Sequence, residues 1–179
     1  MPACALLLLA ACESAPVIRT RADPTANLAG YKSYAFVAQP GTNRNGYSTP
    51  VTTYFETAIA RELDARGYRK ADADPDLLVN FSTNVREQTD VQSTPAPMMG
   101  YSYGYYGYRA GLYAAPEIST VRYKVGTANI DLADARQKKL VWEGVAEGEL
   151  TRDMMQNPQP AIDKVVAEMF AKFTGRAAP

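Results

Sequence analysis

The sequence predicts an α+β domain: an antiparallel sheet of about five strands with two amphipathic helices on one face, a two-layer sandwich in the order ββαβββα. Three observations carry that expectation. Apolar residues recur at helical spacing in two stretches, Val51, Phe55, Ile59 and Leu63, then Ile162, Val165, Val166, Met169, Phe170 and Phe173. Between them, long segments alternate apolar and polar residues with the period of a strand. A hydrophobic fraction of 46% in 179 residues is enough to bury one ordinary core.

Val17, Ile18, Arg19, Thr20 and Arg21 form the first strand candidate, stopped by Asp23-Pro24. Residues 31–37 are the second, with Tyr34 and Phe36 on one face, and residues 39–48 read as a loop. Thr49-Pro50 opens a helix with a hydroxyl cap and a proline in the first turn. Tyr54 and Ala58 flank its apolar stripe, and Gly67 closes it. After a turn at Asp74-Pro75-Asp76, residues Leu77, Val79, Phe81, Thr83 and Val85 mark the buried face of a strand that extends towards Val91. Residues 120–132 are extended again. Val121, Tyr123 and Val125 share one face and Ala128, Ile130 and Leu132 the other parity, which places a bulge at Gly126. A polar turn at 134–139 returns the chain as 140–150, where either Trp142 or the pair Val141 and Val145 faces the core. Gly144, Ala146 and Gly148 form a small-residue stripe that admits a close helix, and Pro158 and Pro160 precede the last helix.

What is missing narrows function. The chain has no histidine, and its two cysteines, Cys4 and Cys12, lie in the first dozen residues, so the body has neither the usual neutral-pH base nor a thiol. Lys+Arg and Asp+Glu are equal at 19, without the basic excess a nucleic-acid surface needs. No apolar run reaches the roughly 20 residues of a membrane-spanning helix. No Gly-x-Ser-x-Gly elbow or phosphate-binding glycine loop occurs. Asp72, Asp74 and Asp76 alternate but lack the later ligands of a calcium loop, and read as a solvated turn. Asp131 and Asp134 bracket the hairpin turn, where aspartate bonds the backbone. No catalytic residue, metal or cofactor is expected.

The N-terminus carries the one residue with an expected chemical fate. An apolar stretch ends in Leu9-Ala10-Ala11-Cys12, which resembles the bacterial lipobox. Residues 1–11 are then a signal peptide, 12–16 a lipidated tether, 17–174 a single domain and 175–179 a flexible tail. Acylated Cys12 becomes the first residue of the mature chain and holds it on a membrane. No basic residue precedes the apolar run, so the true start is expected upstream of Met1. The competing reading makes the stretch a buried element, with Cys12 a core residue or disulfide-bonded to Cys4. Glu13 follows the cysteine in place of the aspartate associated with inner-membrane retention, which favours a periplasm-facing position on the outer membrane.

Residues 98–113, within a Gly/Tyr-rich loop expected at 95–116, hold six of the twelve tyrosines: Tyr101, Tyr103, Tyr105, Tyr106, Tyr108 and Tyr113, interleaved with Gly100, Gly104, Gly107 and Gly111. Three readings compete: an unconstrained loop tip, a contact surface for peptidoglycan, an envelope protein or a second copy, and a stacking platform. With Arg109 the only nearby charge, nucleic acid is the least favoured partner.

Several segments together resemble the DUF4136 family of bacterial lipoproteins, from about Val17 to Phe173. They are Asp23-Pro24 with Tyr31 to Tyr34, Leu63-Asp64-Ala65-Arg66-Gly67-Tyr68, Asp74-Pro75-Asp76-Leu77-Leu78-Val79, the tyrosine-rich insert, Ile130-Asp131-Leu132-Ala133-Asp134-Ala135-Arg136 and Leu140-Val141-Trp142-Glu143-Gly144. The resemblance implies a small periplasm-facing lipoprotein domain and carries over no catalytic residue. The resulting expectation is a non-enzymatic binding or structural module of the cell envelope. An accessory subunit of an envelope transport or secretion complex stands second, and an envelope hydrolase last.

Overall fold

A computed structural model describes the backbone of residues 15–104 and 107–175, and side chains among these outside 95–117. Cys12 and the rest of the expected signal and tether through residue 14 lie outside the described residues, as do Tyr105, Tyr106 and residues 176–179. The chain forms two compact units, one built from the segments up to Val85 and from Val125 onward, the other Arg86–Lys124.

The expected α+β class is found, with a richer sheet. Six strands, β1 (Val17–Ala22), β2 (Ser33–Phe36), β3 (Arg69–Lys70), β4 (Leu77–Gly104), β5 (Gly107–Asp134) and β6 (Lys139–Glu149), lie in the order β1-β6-β5-β4-β2-β3. Among the described residues three α-helices accompany them: α1 (Pro50–Ala65), α2 (Arg152–Gln156) and α3 (Gln159–Phe170). The sheet is mixed, not antiparallel throughout, because β2 runs parallel to both β3 and β4. Parallel neighbours need a crossover, and α1 supplies it between β2 and the strands beside it. Strand periodicity reveals faces but not neighbours, so this pairing was invisible in sequence.

The local chemistry of α1 follows the expectation closely. Thr49 Oγ1 accepts from the Thr52 amide while Thr52 Oγ1 accepts from the Thr49 amide, a reciprocal cap. At the other end, Gly67 at φ +83° lets the Tyr68 amide bond Leu63 O at 3.1 Å and its own amide bond Asp64 O at 2.9 Å. Phe55, Ala58, Ile59 and Leu63 are buried from α1, and Ile162, Val166, Met169 and Phe170 from α3. They meet Leu77, Val79, Phe81, Ile130, Leu132 and Trp142 in one core. Phe55 stacks on Phe81 at 5.5 Å, and Trp142 packs against Phe170 at 5.3 Å and Phe173 at 5.1 Å. Arg66 joins the helix ends by donating to Phe170 O at 2.8 Å.

Two expectations are corrected. Gly126 pairs with Gly148 in continuous register, and the irregularity between β5 and β6 lies at Leu132/Ala133. Leu132 pairs with Trp142 and Ala133 with Leu140, so Val141 is the extra residue of a bulge. That resolves the open question in β6: Val141 and Trp142 are both buried, each 2% exposed. The parity change that suggested Gly126 arises because Val125 and Ile130, on opposite faces of β5, are both buried. The second correction concerns residues 95–116, expected as a loop. The described backbone there is strand, belonging to β4 and β5. Tyrosine favours extended structure strongly enough to outweigh the interleaved glycines once a partner strand lies alongside.

The small-residue stripe admits a helix at Gly144, whereas Gly148 faces Pro16 instead. A Cβ added at Gly144 would stand 2.6 Å from Trp142 Cη2 and 3.1 Å from Met169 Sδ of α3. Gly144→Val should therefore destabilise the first unit by about 1–3 kcal/mol, and Phe81→Ala by about 3–5 kcal/mol. Urea unfolding followed by the fluorescence of Trp142 measures both; an unchanged midpoint for either contradicts this packing.

Candidate functional site

β1 and β5 end, and β2, β4 and β6 begin, at one end of the first unit's sheet. The residues flanking those ends surround a polar cleft of about 400 Å³ that includes Asp23, Tyr31, Asp76, Asp134, Arg136 and Lys139. Three aspartates dominate it, and each has a local reason to be there.

Asp23 follows the last residue of β1 and folds back on Thr25, accepting from its amide at 2.8 Å and its hydroxyl at 2.7 Å, and pairs with Lys139. Asp76 precedes β4. Its Oδ2 accepts from the amides of Lys32 at 2.9 Å and Ser33 at 3.1 Å and from the Ser33 hydroxyl at 3.1 Å, while Arg136 stands 3.9 Å from Oδ1. Asp134 closes β5; its Oδ1 accepts from the amides of Arg136 at 2.8 Å and Gln137 at 2.7 Å, and its Oδ2 from the Tyr31 hydroxyl at 2.9 Å. Asp134 thus makes the turn bonds expected of it; Asp131 sits inside the strand instead.

These bonds set the ionisation. Lys139 and then Thr25 hold the Asp23 carboxyl down at about 2. The Lys32 amide, aided by Ser33, holds Asp76 below the carboxylate range, and the Gln137 amide, aided by Tyr31 and Arg136, does the same for Asp134. Burial and the Asp134 carboxylate push the Tyr31 phenol up to about 12. The cleft therefore presents ionised carboxylates already occupied by donors and a phenol held protonated. One carboxyl in the first unit moves the other way. Asp131 is raised by burial and by Glu143, its direct cross-strand neighbour, on the sheet face opposite Ile130 and Leu132. Neither Asp131 nor Glu143 lines the cleft.

Apart from Asp76 and Asp134, the residues singled out in sequence for possible chemistry or contact fall elsewhere. Of Asp72, Asp74 and Asp76, only Asp76 reaches the cleft; Asp74 takes a turn conformation at φ +46°. Tyr101, Tyr103, Tyr108 and Tyr113 lie in strand backbone of the second unit. Among the described residues, no group of three or more His, Cys, Asp and Glu is arranged to hold a metal ion, and no helix is long and apolar enough to cross a membrane. The cleft itself was missed. Its signal was present in the aspartates at Asp23-Pro24, Asp74-Pro75-Asp76 and Asp134-Ala135-Arg136, each beside a strand end, but their convergence depends on strand order.

The fold and cleft define a small α+β sheet-and-helix domain with a carboxylate-stapled edge. Residues 18–173 match the model of a domain of unknown function, DUF4136, and the chain belongs to that family. No curated protein matches in sequence. Among solved structures, a DUF4136 family protein from Bacteroides thetaiotaomicron is similar at 16% identity and a TM-score of 0.50, over 89% of this chain and 96% of its own. A PelC dodecamer from Paraburkholderia phytofirmans is similar at 14% identity and a TM-score of 0.50, over 90% and 98%. A PDZ domain protein from Parabacteroides distasonis is similar at 17% identity and a TM-score of 0.48; 89% of this chain is covered, and it spans 36% of that one.

The ionisation pattern has a signed consequence for stability. Asp23, Asp76 and Asp134 have folded pKa values below the unfolded value of 3.8, so their stabilisation is present above that pH and is lost as pH falls below it, for Asp23 through about 2. Tyr31, raised above its unfolded value of 10, stabilises below that pH and loses its contribution as pH climbs through about 12. Asp131 acts oppositely to the other three: its desolvated charge costs stability at neutral pH, and Asp131→Asn should gain a few tenths to about 1 kcal/mol. Asp76→Asn should lose about 1–3 kcal/mol at pH 7 and less at pH 2. Denaturant melts across pH measure all four, and a neutral-pH gain for Asp76→Asn would contradict the staple.

Proposed function

We propose that the chain is a non-enzymatic module of a bacterial cell envelope, anchored by lipid on Cys12 and facing the periplasm, with the outer membrane favoured by Glu13. The observation that carries the reading is Leu9-Ala10-Ala11-Cys12 at the end of an apolar stretch, five positions before the first residue of β1. Five residues reach at most roughly 17 Å, so the start of β1 is held near the lipid surface. The aspartate cleft lies at the far end of β1, six residues away along the strand. Its occupied carboxylates support a structural role for that end, since an acid or base must be free to give or take a proton.

Partner contact through an envelope protein or peptidoglycan remains part of this reading, with the tyrosines of residues 98–113 as its surface. A second reading, an accessory subunit of an envelope transport or secretion complex, is favoured by the shared fold of the PelC dodecamer, a many-copy assembly. An envelope hydrolase is the least supported, because the cleft offers no nucleophile with an adjacent free base.

Metabolic labelling with a fatty acid tests the anchor. The full chain should incorporate label and partition with membranes, and Cys12→Ala should abolish both and leave the longer precursor. Normal labelling of Cys12→Ala would contradict the proposal.

A further inference from the structure

The second unit, Arg86–Lys124, is built from the C-terminal part of β4 and the N-terminal part of β5. The pairing of β5 with β6 stops at Val125, and that of β4 with β2 stops at Val79. Among the described residues, the segments 86–104 and 107–124 therefore have no strand neighbour but each other. A two-stranded ribbon of that kind is marginally stable in water by itself, and its outer edges present rows of backbone donors and acceptors.

The described side chains of the ribbon bury neither face. Val91 is 68% exposed, Ile118 69% and Val121 43%. Ile118 and Val121 are three residues apart, so they stand on opposite faces of one strand, and both are wet. β-branched residues favour extended structure that packs against something. The two strands also differ in charge. The β4 segment carries Arg86, Glu87 and Asp90, a net charge of −1, and the β5 segment carries Arg109, Glu117, Arg122 and Lys124, a net charge of +2. Across the ribbon the Tyr123 hydroxyl donates to Asp90 Oδ2 at 2.9 Å.

We propose that the ribbon is an assembly edge for further copies of this chain, with the β4 edge of one copy adding to the β5 edge of the next. The charges select that pairing: unlike edges bring opposite signs together, and like edges bring the same sign together. Main-chain hydrogen bonds between edges give the affinity. Because the two edges differ, the contact is heterologous, and each added copy leaves one edge open until a ring closes. Assembly should therefore pass beyond a dimer. The proposal deepens the binding-module reading without needing the lipid, since Cys12→Ala should assemble like the parent chain. Failure of the anchor and failure of the edge are thus separable.

Sedimentation velocity of the full chain in detergent tests it. The parent should form species larger than a dimer, and added salt should weaken them. Glu87→Lys with Asp90→Lys should weaken assembly at least tenfold; adding Arg122→Glu and Lys124→Glu should restore it. Trp142, the only tryptophan, is buried in the first unit, so its fluorescence verifies that each variant retains that fold. A parent monomeric at every concentration overturns the proposal, as does a double variant that assembles like the parent or a folded quadruple variant that does not. A monomer that instead binds phosphatidylglycerol vesicles through Val91 and Ile118 would also overturn it, in favour of a lipid surface.

Discussion

Asp76 Oδ2 gathers three hydrogen bonds from Lys32 and Ser33, and the Asp76 amide returns one to Ser33 Oγ at 3.0 Å. This exchange holds the start of β2 beside the start of β4, where Tyr34 pairs with Leu77 and Phe36 with Val79. A parallel pair cannot be nucleated by a tight turn, so its register must be fixed by contacts between distant segments. Here those segments are 43 residues apart, with α1 between them. The Asp76 carbonyl also accepts from Ala135 at 2.9 Å, which ties in the turn between β5 and β6. Tyr34, fully buried, carries the constraint into the core and donates its hydroxyl to Asp64 near the end of α1 at 3.0 Å.

The first unit thus divides its work by chemistry. Aromatic and aliphatic packing between one sheet face and the helices supplies the non-directional attraction. Directional bonds at the strand ends choose among the registers that such packing would tolerate. Lys172 donates to Ile18 O at 2.7 Å and so occupies an acceptor on the edge strand β1. The second unit has no comparable layer among its described residues. The contrast between a capped edge in one unit and open edges in the other gives the ribbon its functional interest.

The helices were legible because their signals are local. Thr49-Pro50, the stripe through Phe55, Ile59 and Leu63, and Gly67 state a start, a face and a stop within one stretch. The core face of β4 was legible for the same reason as far as Phe81, but Thr83 and Val85, expected on that face, are exposed. The direction of β2 was not, because alternation in Tyr34 and Phe36 is identical in parallel and antiparallel sheets. The bulge at Val141 was not, because its position depends on how Leu132 and Ala133 meet β6. In residues 95–116 the glycines pointed to a loop, and the strand preference of tyrosine, which had not been weighed, prevails in the described backbone. The cleft was legible only in pieces, as three turn aspartates whose proximity is a property of strand order. The proposed lipid site is the reverse case: it rests on the sequence around Cys12 alone.

If the strand ends are stapled by Asp76 and Asp134, four amides that sit at turns or strand starts should behave as though they were in the core. Native-state hydrogen exchange, resolved by residue, measures this directly. The amides of Lys32, Ser33, Arg136 and Gln137 should exchange with protection close to that of the strand amides around Val79 and Leu132, and lose it together in Asp76→Asn for the first two. Exchange of all four at the rates of open turns, with the core still protected, would contradict the staple as the constraint on which this fold depends.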